Sequence, residues 1–124
     1  MSKLILTVDD SASMRMLLKA TLTAQGYRIE AANDGKHGLE RMHEVKPDLL
    51  ITDINMPKMD GLGLLQAVRS NPATKRAAFI MLTAQGDRAL VQKAAALGAN
   101  NVLAKPFTIP KMQAAIEAVF GALK

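Results

Sequence analysis

Leu4-Ile5-Leu6-Thr7-Val8-Asp9-Asp10 and Leu49-Leu50-Ile51-Thr52-Asp53 follow one plan: a short apolar, β-prone run that stops on acid. Neither run alternates polar with apolar residues. Each therefore reads as a strand covered on both faces, the condition of a parallel sheet held between helices. Shorter runs of the same kind occur at 29–31, 79–82 and 101–104. The intervening segments carry helical periodicity. The first predicted helix turns Met14, Leu17, Leu18, Thr21 and Leu22 inward, with Ser11 or Ser13 to cap its start and Gly26 to end it. The second runs from about Asp34 toward Val45, with Leu39, Met42 and Val45 inward, and stops before Pro47. A third covers roughly 62–70 on Leu64, Leu65 and Val68, and a fourth about 87–97 on Leu90, Val91, Ala94 and Leu97. The last starts at Thr108, has Pro110 in its first turn, and buries Met112, Ile116, Val119 and Phe120. Strand and helix alternate five times, which predicts an α/β fold with a three-layer α/β/α sandwich.

The 124 residues suit one domain, since domains commonly hold about 100–200 residues. No linker, repeat or low-complexity tract divides residues 1–124, so the expectation is a single domain with no output domain attached. The absence of cysteine excludes disulfides, thiolate metal sites and cysteine nucleophiles. The first apolar run ends at Asp9-Asp10, too soon for a signal peptide or a membrane span. A cytoplasmic protein without membrane insertion is expected.

The net charge of +5 is unevenly placed. Residues 1–62 carry 8 basic and 9 acidic side chains, whereas residues 63–124 carry 8 basic ones against only Asp87 and Glu117. A basic second half attracts an anionic partner. Nucleic acid is the weaker choice, because Tyr27, Phe79, Phe107 and Phe120 are too few aromatics for a stacking platform. An anionic surface, an acidic protein partner and a plain solvated face all fit this charge.

In such sheets ligands bind outside the carboxyl ends of the strands. Strand one ends in Asp9-Asp10, strand three in Asp53, strand four in Thr83, and strand five in Lys105-Pro106. If strands one and three are neighbours, three carboxylates converge beside a hydroxyl and an ammonium. Like charges ~4 Å apart repel by about 4 kcal/mol at an effective dielectric of ~20, more than one lysine offsets. An all-oxygen site without His or Cys suits a hard divalent cation, Mg²⁺ above all. Phosphate chemistry follows from that. Asp34, Asp60 and Asp87 lie at helix starts and read as caps. His37 and His43, six apart, lack the spacing of a chelating pair and read as surface or half-buried helix residues.

Together these residues resemble the receiver domain of two-component response regulators, in particular its single-domain chemotaxis members. The likeness spans the chain and is most specific in Asp53-Ile54-Asn55-Met56-Pro57-Lys58-Met59-Asp60-Gly61. The paired acids after strand one, Thr83-Ala84 and Lys105-Pro106-Phe107 complete it. The resemblance implies a flavodoxin-like (βα)5 fold with parallel sheet order 2-1-3-4-5. It implies that Asp53 is the phosphoacceptor and that Asp10, Asp53 and the backbone carbonyl of Asn55 ligate Mg²⁺, with Asp9 acting mainly through metal-bound water. Lys105 and Thr83 would contact phosphoryl oxygens, and Ala84 would admit the group and offer its N–H. Asn55 and Gln85 would flank the water that removes the phosphoryl group, and the Lys105-Pro106 bond would be cis. The implied partners are a histidine kinase or histidine phosphotransfer protein and a downstream protein target. The chain would serve as a monomeric phosphoacceptor rather than a turnover enzyme.

One position departs from the family. Three residues before Lys105, where an aromatic side chain often swings on activation, stands Val102. Valine has a single stiff torsion and cannot make that swing. The expected switch therefore lies in the loop after Thr83 and the start of the fourth helix. Within the family, a phosphate sink and a phosphorelay intermediate are alternatives to a relay that acts by binding. A haloacid-dehalogenase-type phosphatase needs a second Asp two residues after its nucleophile, but Ser11 and Ala12 follow Asp9 and Asp10 at that spacing. A flavin mononucleotide carrier would meet repulsion from Asp9-Asp10 and lacks the aromatics.

Overall fold

The computed structural model describes residues 3–54, 61–72, 74, 76–84, 88–105 and 108–122; for 84, 105, 121 and 122 the description is of the backbone. Five strands and five helices alternate: β1 (Leu4–Val8), α1 (Ala12–Ala24), β2 (Arg28–Ala32), α2 (Gly35–Val45), β3 (Leu49–Asp53), α3 (Gly61–Ser70), β4 (Ala78–Ala84), α4 (Arg88–Ala96), β5 (Asn101–Lys105) and α5 (Ile109–Ala122). All neighbouring strands pair in parallel, in the order β2-β1-β3-β4-β5. The expected α/β/α sandwich and its 2-1-3-4-5 sheet are thus both present.

Alternation along the strands builds two cores from runs that look uniformly apolar in the sequence. Ile5, Leu49, Ile51, Ile80 and Leu82 face one side and pack with Leu18 and Leu22 of α1 and Met112, Ile116, Val119 and Phe120 of α5. Leu6, Val8, Leu50, Phe79 and Met81 face the other side and meet Met42 of α2, Leu64, Leu65 and Val68 of α3, and Ala94 of α4. Burying each large apolar side chain contributes about 1.5–3 kcal/mol. β1, β3 and β4 are the strands buried on both faces and form the centre of the sheet.

Local signals set the element boundaries. Ser11, not Ser13, caps α1: its hydroxyl accepts from the Met14 N–H at 3.3 Å. Asp34 caps α2 by accepting from the His37 N–H at 2.8 Å, as expected, while Asp60 and Asp87 lie outside the described residues. Gly26 follows α1 with φ 93, a backbone conformation that suits glycine.

Two positions assigned to buried helix faces are exposed. Leu17 is 48% exposed and Val91 37%. Each occupies the margin of its apolar stripe, where a helix resting on a flat sheet no longer touches it. β4 also runs further than the apolar run suggests. Thr83 and Ala84 lie within the strand because the ladder continues as Thr83↔Ala104 and Ala84↔Lys105.

Candidate functional site

The site grows out of the carboxyl ends of β1, β3, β4 and β5. Because β1 pairs with β3 through Val8↔Thr52, the next residues, Asp9 and Asp53, come side by side at the carboxyl edge of the sheet. Carboxylate oxygens of Asp9, Asp10 and Asp53 all lie within 4.8 Å of one another. Asp9 is buried, Asp53 half-buried and Asp10 exposed, so the cluster runs from the sheet edge outward to solvent.

Backbone and side-chain bonds fix this geometry. The Asp9 N–H donates to the Ala32 carbonyl at 3.2 Å, and Asp9 Oδ1 accepts from the Ser11 N–H at 2.8 Å. Arg15, one turn into α1, donates Nη1 to the Asp9 carbonyl at 2.6 Å. The Asp9 carbonyl and the Asp10 N–H belong to one planar peptide, so Arg15 also sets the direction in which Asp10 departs. On the other strand, the Ile54 N–H donates to the Leu82 carbonyl at 3.0 Å and carries the β3–β4 ladder past Asp53. The Gly61 N–H donates to the Ile54 carbonyl at 2.8 Å. A Cβ at Gly61 would overlap the Asp53 carbonyl oxygen and come within 2.8 Å of the Ile54 Cα. Only glycine lets α3 start this close to the phosphoacceptor candidate.

Thr83 is buried and stands one residue beyond Leu82, the partner of Asp53. The backbone of Ala84 pairs with that of Lys105, which brings both to the same edge. Asp9, Asp10, Asp53, Thr83, Ala84 and Lys105 therefore share one end of the sheet. Asn55, Gln85, Pro106 and Phe107 lie outside the described residues, as do Met56 and Met59. Val102 is half-buried and packs against the α2–α3–α4 core. His37 is half-buried, its Nδ1 lying 3.0 Å from Asn33 Oδ1, and His43 is exposed.

Three carboxylates this close repel, and the Asp9–Asp53 pair, within 4.8 Å, alone by about 3.5 kcal/mol at an effective dielectric of ~20. Hard oxygen donors, net negative charge and an opening to solvent fit a divalent cation of the Mg²⁺ type. Ser11, at the position where a dehalogenase-type phosphatase needs its second acid, is occupied as the α1 cap.

The response regulator receiver domain matches residues 5–117 of this chain. The chain belongs to that family and is a component of two-component signal transduction. Among its relatives are chemotaxis regulators. It is 66% identical over 121 residues to the probable chemotaxis protein CheY of Rhizobium etli, covering 97% of this chain and 94% of that one. It is 40% identical to the chemotaxis protein CheY1 of Helicobacter pylori, covering 94% of this chain and 96% of that one. The crystallised chemotaxis protein CheY4 of Vibrio cholerae superposes with a TM-score of 0.90 at 34% identity, covering 96% of this chain and 99% of that one. The likeness drawn from the Asp53–Gly61 segment and the acid, Thr-Ala and Lys-Pro positions thus holds across the fold.

Proposed function

We propose that this receiver accepts a phosphoryl group on Asp53 from a phosphohistidine of a sensor kinase or phosphotransfer protein, and relays the signal by changing the surface it offers to a protein target. The observation that carries this reading is the meeting of Asp9, Asp10 and Asp53 within 4.8 Å at the carboxyl edge of the sheet. An Asp53 carboxylate oxygen attacks phosphorus as the P–N bond breaks, leaving an aspartyl phosphate and a neutral imidazole on the donor. Asp9, Asp10 and Asp53, with the Asn55 carbonyl, would hold Mg²⁺, which supplies charge neutralisation for carboxylate and phosphoryl oxygens. Thr83 donates its hydroxyl to one phosphoryl oxygen, the Ala84 N–H serves a second, and Lys105 pairs with a third. These groups position and neutralise rather than turn over substrate, so the chain is a self-modifying acceptor and not an enzyme in the turnover sense.

The output surface follows from charge. Among the described residues, no helix is long and apolar enough to cross a membrane, and the proposed setting is the cytoplasm. α4 and α5 both contact β5 and expose Arg88, Lys93 and Lys111 together with Val91 and Ile109. Cations bordering exposed apolar side chains suit an acidic target surface with an apolar centre. With Val102 in place of an aromatic, the switch acts through the loop after Thr83 and the start of α4. The receiver works as a monomer.

Incubating the protein with a phosphorylated histidine phosphotransfer domain tests the reading. Label should pass to the receiver only with Mg²⁺ and not to Asp53→Asn. Transfer to that variant would contradict the assignment. Amide shifts on adding a phosphate mimic should include residues 83–91, and their absence there would remove the proposed switch.

A further inference from the structure

The amino ends of the strands, opposite the acid cluster, hold a cavity of about 290 Å³. In sheets of this kind ligands are expected at the carboxyl edge, so this cavity calls for its own account. The wall nearest α2 carries Met42 and Lys46, the sheet edge supplies Lys3 and Asp48, the chain leading into β4 supplies Arg76, and α5 supplies Phe120. Three cations thus face one acid.

The acid is already engaged. Asp48 Oδ2 accepts from the Leu4 N–H at 2.9 Å, fastening β1 to the start of β3. Among the described residues the ion pairs are those of Arg41 with Glu30 and Glu44, so Lys3, Lys46 and Arg76 have no carboxylate partner there. Lys3 Nζ lies 5.6 Å from the centroid of the Phe120 ring, within cation–π range. Lys46 closes α2 with φ 48 and is the one non-glycine residue of positive φ among the described residues. That conformation is ordinarily left to glycine or asparagine. Here it is taken by a lysine that lines the cavity.

We infer that this cavity binds a small organic anion, its apolar body at the Phe120 margin and its carboxylate-like head among Lys3, Lys46 and Arg76. Size supports the class, because 290 Å³ falls at the small end of ligand pockets, which span roughly 300–1,000 Å³. Charge sets the sign. The five residues of β1 separate Lys3 from Asp9, six steps or about 20 Å at ~3.3 Å each, so the ligand cannot share the acid cluster.

Naphthoate, titrated into isotope-labelled protein in EDTA, tests the inference by amide shifts. The expected result is saturable shifts confined to the neighbourhood of residues 3, 42, 46–48, 76–77 and 120. Naphthalenemethanol, the neutral analogue, should bind at least tenfold more weakly. The double variant Lys46→Asn, Arg76→Gln should also lose at least tenfold, and asparagine suits the left-handed position, so its unfolding midpoint should stay near that of the parent. Added salt should weaken naphthoate and spare the alcohol in the unsubstituted protein, a readout independent of any variant. Equal binding of acid and alcohol, shifts centred on residues 9, 10 and 53, no shift at all, or full affinity in a folded double variant would each overturn it.

Discussion

Replacing Asp53 by Asn should stabilise the metal-free protein while weakening its response to Mg²⁺. Oxygens of Asp9 and Asp53 lie within 4.8 Å, which corresponds to about 3.5 kcal/mol of repulsion at an effective dielectric of ~20. Asp53 is only half-buried, and solvent screening removes roughly half of that, leaving about 1–2 kcal/mol of relief. Asparagine keeps the size and the carbonyl oxygen, so packing changes little. In urea with EDTA the midpoint should rise by roughly 0.5–1 M, given slopes of about 1–3 kcal/mol per molar. Mg²⁺ at ten times its Kd should add about 1.4 kcal/mol to the parent protein. The variant, with one charged ligand fewer, should gain less than half as much. An Asn variant that is no more stable than the parent in EDTA, yet gains as much from Mg²⁺, would refute the reasoning.

Gly61→Ala should cost about 1–3 kcal/mol in urea unfolding, the usual range for forcing atoms into filled space, because its Cβ meets the Asp53 carbonyl and the Ile54 backbone. It should also weaken Mg²⁺ binding by displacing Asp53. Arg15→Ala frees the Asp9 carbonyl, whereas Arg15→Gln keeps a donor without the charge. If Arg15 acts by positioning, Mg²⁺ affinity by calorimetry falls several-fold in the alanine variant and stays near the parent in the glutamine one; tighter binding in both would instead make its charge the dominant effect. Arg69→Ala should destabilise by about 2–3 kcal/mol, since the guanidinium serves the Ala77 and Gly98 carbonyls and Asn100 Oδ1, and bonds to charged groups contribute about 1.5–3 kcal/mol. Burial, and then the Glu117 charge, raise the pKa of Tyr27, the single tyrosine, above 10.0. The folded state then holds its proton longer than the unfolded one, so this contribution to stability is complete below pH 10.0 and is lost as pH rises through the folded-state pKa. Phenolate absorbance should show the later titration in native protein, and Tyr27→Phe should abolish that dependence.

β1, β3 and β4 were legible because both their faces are buried, which leaves unbroken apolar runs such as Leu49-Leu50-Ile51. The acids were legible because they interrupt those runs at the same edge. Leu17 and Val91 were not, since periodicity reveals a helix's apolar stripe but not where the sheet beneath it ends. The continuation of β4 through Thr83 and Ala84 depends on pairing with β5, which no local signal carries. The bond from Arg15 to the Asp9 carbonyl arises from the turn into α1, and a lone arginine in an amphipathic segment gives no hint of it. Lys3, Lys46 and Arg76 are scattered in the sequence and meet only because parallel strands all begin at one end.

The most direct test of the central claim is to treat the protein with acetyl phosphate and Mg²⁺, reduce it with borohydride, and map the peptides. An acyl phosphate on Asp53 becomes homoserine at that position alone, and none forms when Mg²⁺ is withheld. Homoserine at Asp9 or Asp10 in place of Asp53, or an unaltered map, would contradict the account.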